Sequence, residues 1–208
     1  MTTANIVLIH GVLMNSVEML YLNHQLSKAN FTVHSLSYPS AKHDIAHNTQ
    51  LLKQKLLALN LDSTYIVAHS LGGIMSMHLL ALDGLPKIER IVLLGSPLNG
   101  SYIADKFMTW PLVNRLLKNS MGNGLDGNFT MPSMPYEIGM IAGVSDSLGV
   151  GTLVGGLPEE SDGTVLLSET QHEILKEHIV VDKNHTGLLF SKDVADLTVS
   201  FLNTGSFQ

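Results

Sequence analysis

The chain has 208 residues, of which 45% are hydrophobic, so it can bury one sizeable core, and we expect a single domain over residues 1–208. Against 18 Asp and Glu there are only 12 Lys and Arg, giving a net charge of -6, and no basic cluster is dense enough for a phosphate backbone. We therefore expect no nucleic-acid partner, and the absence of cysteine excludes disulfides, thiolate metal sites and a cysteine nucleophile.

Apolar runs and helical patterns alternate along the chain. The predicted strands cover residues 6–9, 31–38, 64–68, 88–94, 136–144 and 178–181. The predicted helices cover residues 18–30, 44–59, 73–82 and 194–202, the second of them with Asp44 as its N-cap. This alternation is typical of an α/β fold, a mostly parallel central sheet with helices on both faces.

The segment from residue 97 to about residue 135 differs in composition and is interpreted as a short cap insertion above the sheet. It contains the only Trp and four of the seven prolines. Residues 102–118 carry apolar side chains suited to one or two short helices, interrupted at Pro111. The sequence leaves open whether these side chains form a mobile lid or complete the core. The glycine-rich loop 149–156 lacks the lysine of a phosphate-binding loop.

No targeting or membrane-spanning segment is predicted. The N-terminus has no basic region of a signal peptide, and the apolar run after it is broken at His10 and Gly11. Residues 65–82 are long enough to span a bilayer, but their histidines, serines and paired glycines fit a buried core helix better. We expect a cytoplasmic protein, and a mean hydropathy of +0.21 allows weak contact with a lipid surface.

The sequence Ala68-His69-Ser70-Leu71-Gly72 is typical of a nucleophile elbow, in which a strand turns sharply into a helix. The turn strains the backbone of the serine, and small residues two positions on either side let strand and helix approach. The usual first residue is glycine, and here it is Ala68. Ser70 is therefore the candidate nucleophile.

A serine nucleophile needs a histidine as general base. In folds with this elbow the acid follows the nucleophile and the histidine comes last, which leaves His172, His178 and His185. His172 lies in a further stretch that looks helical, and His178 lies at the start of a predicted strand. His185 follows the last predicted strand, at the edge where such sheets bind ligands, and is the preferred candidate.

The acid that orients His185 has two main candidates. Asp162 begins the sequence Asp162-Gly163-Thr164-Val165, between the last two predicted strands, and is preferred. Asp146 lies nearer the end of its strand and is the main alternative. Asp182 is too close to His185 in sequence to be the usual partner.

Two backbone N–H groups are predicted to form an oxyanion hole. One belongs to Leu71, which follows the nucleophile, and the other to Val12, in the loop after the first strand. His10, in the same loop, is predicted to hold the loop by hydrogen bonds rather than to transfer a proton.

The chain resembles a small α/β-hydrolase, similar to the compact bacterial lipases and esterases. The matching segments are residues 6–11, 68–73, 95–97 with 99–101, 162–165 and 184–187. The resemblance implies the α/β-hydrolase fold and hydrolysis of a carboxylic ester or lipid-like small molecule through an acyl-enzyme, with no metal or organic cofactor. A thioesterase, phospholipase or amidase on the same residues, and a non-catalytic binding protein, are the alternatives. The sequence does not indicate an oligomeric state.

Overall fold

A computed structural model describes residues 3–128, 136–145 and 149–208. Six strands form one parallel sheet in the described residues. They are β1 (Asn5–Ile9), β2 (Thr32–Leu36), β3 (Ser63–His69), β4 (Lys87–Leu94), β5 (Glu137–Gly143) and β6 (Glu177–Val181). The order across the sheet is β2-β1-β3-β4-β5-β6. The chain adds β2 on one side of β1 and then adds β3 to β6 on the other side. Ligands of such sheets bind at the carboxyl ends of the strands, beside the point where the side of strand addition changes.

Helices cover both faces of the sheet. They are α1 (Leu20–Lys28), α2 (Ile45–Ala58), α3 (Leu71–Leu80), α4 (Tyr102–Met108), α5 (Pro111–Ser120), α6 (Gly187–Phe190) and α7 (Lys192–Thr204). Short 3-10 segments occur at Val150–Val154 and Leu167–Thr170, and an irregular turn with partly π-helical hydrogen bonding follows α5 at Met121–Leu125.

The core consists of two buried layers separated by the sheet. Alternate residues of β1 point to opposite faces, so Val7 and Ile9 pack in the layer with α2 and α3. Ile6 and Leu8 pack in the layer with α1, α6 and α7. The predicted parallel sheet with helices on both faces is therefore confirmed. No helix in the described ranges is long and apolar enough to cross a membrane.

The segment predicted to be a cap contributes a third, smaller hydrophobic cluster beside the loop after β1. Ile103, Phe107 and Leu117 of α4 and α5 are buried there against Val12, in the loop after β1. The part of the predicted cap at residues 129–135 lies outside the described residues.

Several element boundaries differ from the sequence prediction, and one assignment was wrong. The predicted break at Pro111 is confirmed: it separates two short helices and begins the second, because the first residue of a helix needs no N–H partner. His172 lies in a turn between Thr170 and β6 and is not helical. The glycine-rich loop contains a short 3-10 helix at Val150–Val154. The predicted cap of α2 is confirmed, since the Asp44 side chain accepts a hydrogen bond from the His47 N–H.

Candidate active site

Ser70 lies at a strained turn between β3 and α3. Its backbone angles are φ 55° and ψ -127°, a conformation that non-glycine residues adopt only where the surrounding structure imposes it. Gly72 permits the turn, because a Cβ at that position would lie 2.4 Å from the carbonyl oxygen of Ile9. Ala68 is fully buried in the sheet, so its methyl group is accommodated there. The local geometry is that of a nucleophile elbow.

His185 is partly buried and forms a hydrogen-bonded pair with the buried Asp162. The Nδ1 atom of His185 lies 2.6 Å from the Oδ2 atom of Asp162. The Oδ1 atom of Asp162 accepts hydrogen bonds from the backbone N–H groups of Thr164, at 2.9 Å, and Val165, at 2.7 Å. The His185 N–H also donates to the Asp162 carbonyl oxygen, at 2.9 Å. Both carboxylate oxygens are thus engaged, and the Nε2 atom of His185 is the ring nitrogen left for other partners.

The other base candidates, His172 and His178, lie elsewhere. Asp146 lies outside the described residues. The Nε2 atom of His178 is 2.8 Å from the Thr170 hydroxyl, and His172 accepts from the Ile174 N–H through Nδ1, at 3.2 Å. Neither histidine lines the cavity that contains Ser70.

Gly95 leaves room for the Asp162–His185 pair. Its φ is +54°, and a Cβ at this position would lie 3.1 Å from Asp162 Oδ2 and 3.3 Å from His185 Nδ1. A side chain would therefore press directly on the hydrogen bond between the two residues. This explains why the turn after β4 begins with glycine, a role that its place in the sequence did not reveal.

His69 connects the elbow to the loop that carries His185. It is buried, its Nε2 atom lies 3.0 Å from the His185 carbonyl oxygen, and the two rings are 4.5 Å apart. Burial, and next the charge of a protonated His185, hold the pKa of His69 well below its usual value. The imidazole is therefore neutral, and Nε2 must carry the proton that it donates to the carbonyl. Sequence reasoning missed this contact, although His69 is part of the elbow motif.

Glu169 connects the segment that follows Asp162 to helix α4. Its buried carboxylate accepts hydrogen bonds from the backbone N–H groups of Tyr102, at 2.5 Å, and Leu166, at 2.9 Å. Burial raises the pKa of Glu169 to about 7, against the opposing effect of these two donors. Tyr102 is the first residue of α4, so Glu169 joins the start of the cap to the segment just after Asp162. No motif in the sequence indicated this residue.

The loop after β1 lies against Ser70. A Cβ on Gly11 would be 3.0 Å from the Cβ of Ser70, and Val12 lines the same cavity as the serine. His10 shapes the loop, because its Nδ1 donates to the Gly11 carbonyl, at 2.9 Å, while its Nε2 accepts from the Tyr38 N–H, at 3.2 Å. Burial lowers the pKa of His10, in agreement with this neutral form.

Leu71 is the first residue of α3. The backbone N–H groups of a helix's first turn have no partner within the helix, so that of Leu71 is available to a ligand beside Ser70. Val12 lines the cavity and Leu71 directly follows Ser70, and their roles as oxyanion donors stay predictions.

Ser70 and His185 line one cavity of about 270 Å³, bounded by the loop after β1, by α4 and α5, and by the segment after Asp162. Its lining is mostly apolar, and none of the described residues that line it is Lys, Arg, Asp or Glu. In the described parts of the chain, no group of three or more His, Cys, Asp and Glu side chains is arranged to hold a metal ion. The arrangement can therefore hold an apolar ligand against a hydroxyl and an imidazole.

Comparisons with known proteins are consistent with this fold. No curated protein matches the sequence. The structure is similar to the mature form of the Bacillus licheniformis lipase BlEst2, with 18% identity, a TM-score of 0.71, and coverage of 98% of this chain and 92% of that chain. It is also similar to a bromoperoxidase from Bacillus anthracis, with 17% identity, a TM-score of 0.66, and coverage of 97% and 92%. A third similar structure is the thioesterase domain of NocB from the Nocardicin cluster. Its sequence identity is 16% and its TM-score is 0.65, and the match covers 97% of this chain and 95% of that chain.

At these identities the structural likeness shows the fold and not the activity. The model of the alpha/beta hydrolase fold family matches residues 4–130, which is more than half of the chain. Together with the parallel sheet and the elbow at Ser70, this match shows that the chain belongs to the α/β-hydrolase family.

Proposed function

We propose that this chain is a serine hydrolase that cleaves carboxylic esters through an acyl-enzyme on Ser70. The observation that carries the proposal is the shared cavity: Ser70, at a strained elbow, and His185, bonded to the buried Asp162, line one apolar space. A nucleophile, a base and an acid that orients the base are the groups that acyl transfer requires.

In the first half of the reaction, the Oγ atom of Ser70 attacks the ester carbonyl carbon while Nε2 of His185 takes the hydroxyl proton. Asp162 accepts the Nδ1–H bond and stabilises the imidazolium that forms. The negative charge develops on the former carbonyl oxygen, toward which the Val12 and Leu71 N–H groups would donate. The bond to the alcohol oxygen then breaks, and His185 returns its proton to the departing alcohol.

In the second half, water replaces the alcohol. The water oxygen attacks the acyl carbon while His185 takes a proton from the water. The bond between the acyl carbon and Ser70 Oγ then breaks, and His185 returns the proton to the serine. The carboxylic acid leaves, and Ser70 and His185 are restored. None of these steps requires a metal or organic cofactor.

Hydrolysis of p-nitrophenyl acetate and butyrate by the wild-type chain and by Ser70→Ala tests the proposal. We expect turnover in the wild type and its loss in Ser70→Ala, with unchanged circular dichroism. Ser96→Ala is the matched control, since Ser96 is also a buried serine but does not line the cavity. A Ser70→Ala variant that keeps full turnover would refute the nucleophile assignment.

Further measurements address the alternatives. Butyryl thiocholine and a butyryl anilide test the thioesterase and amidase functions, because none of the proposed catalytic residues distinguishes between leaving groups. A phospholipase would release fatty acid from a phosphatidylcholine vesicle. A fluorophosphonate labels an activated serine, so an unlabelled Ser70 would favour a non-catalytic binding protein.

The cellular location, the movement of α4 and α5 as a lid and the contact with lipid are predictions that separate experiments test. Fractionation of cells that express the untagged chain tests the predicted cytoplasmic location. Helices α4 and α5 border the cavity, and their movement as a lid would appear as fast amide hydrogen exchange in residues 102–118. Weak contact with lipid would appear as co-sedimentation with phosphatidylcholine vesicles.

A further inference from the structure

The cavity beside Ser70 has a buried end and an exposed end. Ile103, Phe107 and Leu117 line it under the cap and are each at most 8% exposed. Leu13 and Val150 also line it, and they are 54% and 39% exposed. The cavity is therefore more open to solvent at Leu13 and Val150 than at the buried side chains of α4 and α5.

The lining selects against charge. Among the described residues that line it, the polar side chains besides Ser70 and His185 are the hydroxyls of Ser101, Thr164 and Thr186. That of Ser101 already accepts the N–H of Ala104 as a helix cap. An ionised group in this space would lose its water without gaining an oppositely charged partner, which is strongly unfavourable. The cavity therefore suits an uncharged aliphatic chain.

The volume limits the length of that chain. A buried apolar cavity of about 150 Å³ accommodates benzene, with its six carbon atoms, so about 25 Å³ serves one carbon. On this scale the 270 Å³ of the cavity corresponds to roughly eleven carbon atoms. Octanoyl and decanoyl chains fit within this space, whereas a palmitoyl chain would extend past its exposed side.

We propose that this cavity is the acyl site and that it selects uncharged aliphatic acyl groups of medium length, with Val113 and Leu117 of α5 limiting the length. The inference rests on the proposed function, since the acyl carbon must lie at Ser70. It adds the class of acyl group and the residues that select it. Val113 is half-buried in the lining, and Leu117 is part of its buried end.

Chain-length selectivity tests the proposal in the wild type. We expect kcat/KM for p-nitrophenyl esters to rise from acetate to octanoate and to fall at least about tenfold from decanoate to palmitate, measured at one fixed detergent concentration. The p-nitrophenyl hemisuccinate has the same number of acyl carbons as the butyrate but carries a charge. We expect it to react about a hundredfold more slowly than the butyrate.

Variants of α5 test the assigned residues. Val113→Phe fills part of the cavity without opening a void, and should lower kcat/KM for decanoate about tenfold more than it lowers kcat/KM for acetate. Leu117→Ala lengthens the buried end and should move the optimum toward longer chains. Leu116→Ala, on the outer face of the same helix and 44% exposed, is the matched control and should leave the profile unchanged.

The outcomes separate this inference from the proposed function. Ser70-dependent hydrolysis of acetate combined with equal or faster hydrolysis of palmitate would overturn the length limit and leave the esterase function standing. The same would follow if Val113→Phe and Leu116→Ala gave identical profiles. Loss of all ester turnover, together with no fluorophosphonate labelling of Ser70, would overturn the proposed function and this inference with it.

Discussion

The substitution Asp162→Asn is the sharpest test of the proposed triad, because the surroundings of Asp162 dictate how an amide would sit. The Oδ1 position faces two N–H donors, those of Thr164 and Val165. An amide nitrogen placed there would be a third donor, so the amide oxygen must take this position. The amide nitrogen then faces Nδ1 of His185, where Oδ2 lies in the wild type.

This arrangement forces His185 into the wrong tautomer. Nδ1 becomes an acceptor for the amide, so the single ring proton moves to Nε2, which can then no longer accept the proton of Ser70. In a triad of the same kind this change lowers kcat by about 10⁴. That loss corresponds to about 5.5 kcal/mol of transition-state stabilisation at 25 °C.

The assay compares kcat for p-nitrophenyl butyrate in Asp162→Asn, Asp162→Ala and Asp146→Asn. Asp162→Asn should keep the thermal stability of the wild type, because it preserves the acceptor for both backbone donors. Asp162→Ala leaves those donors without their acceptor and should lower the melting temperature as well as the activity. An Asp162→Asn variant with more than a tenth of wild-type kcat, or a greater loss in Asp146→Asn, would refute the assignment of the acid.

Three further predictions concern residues around the triad. Gly95→Ala should lower kcat, because its Cβ would press on the bond between Asp162 and His185; Gly84→Ala, at a similar positive φ but in open space, controls for backbone strain. His69→Phe removes one neutral hydrogen bond to the His185 carbonyl, which is worth about 1 kcal/mol. Its loss should lower kcat roughly fivefold with KM unchanged. His69→Gln should recover part of the lost activity if its amide reaches the carbonyl. The folded-state pKa of Glu169, about 7, exceeds its ordinary value of 4.5, so its contribution to stability is greatest below pH 4.5 and declines as pH rises to 7. The free energy of unfolding, measured with urea, should decline by about 3 kcal/mol between pH 4.5 and pH 7 in the wild type, and Glu169→Gln should remove this decline. An equal dependence of this free energy on pH in both proteins would contradict the prediction.

Much of the fold follows from short-range patterns. A strand buried on both faces of a parallel sheet needs a continuous apolar run, so β1 and β4 could be identified from a few residues each. The elbow is equally local, because the strain at Ser70 and the close approach at Gly72 restrict the residues within two positions. The fold class predicted from these patterns is confirmed.

The candidate triad was predictable for a related reason. The motif beginning at Asp162 is a turn whose own N–H groups bind the carboxylate, so residue type and spacing carry the information. Chain order then selected His185 among the later histidines. The structure brings Asp162 and His185 together, and the catalytic roles of Ser70, Asp162 and His185 stay predictions that the experiments above test.

The supporting contacts depend on packing between distant parts of the chain. His69 reaches the carbonyl of a residue 116 positions later, and Glu169 binds the N–H of a residue 67 positions earlier. Neither contact leaves a periodic or local pattern in the sequence. The size and apolar lining of the cavity likewise arise where α4 and α5 meet the loop after β1. Strands, turns and motifs obey steric rules that act over a few residues, whereas these contacts and this volume exist only once separate elements have packed against one another.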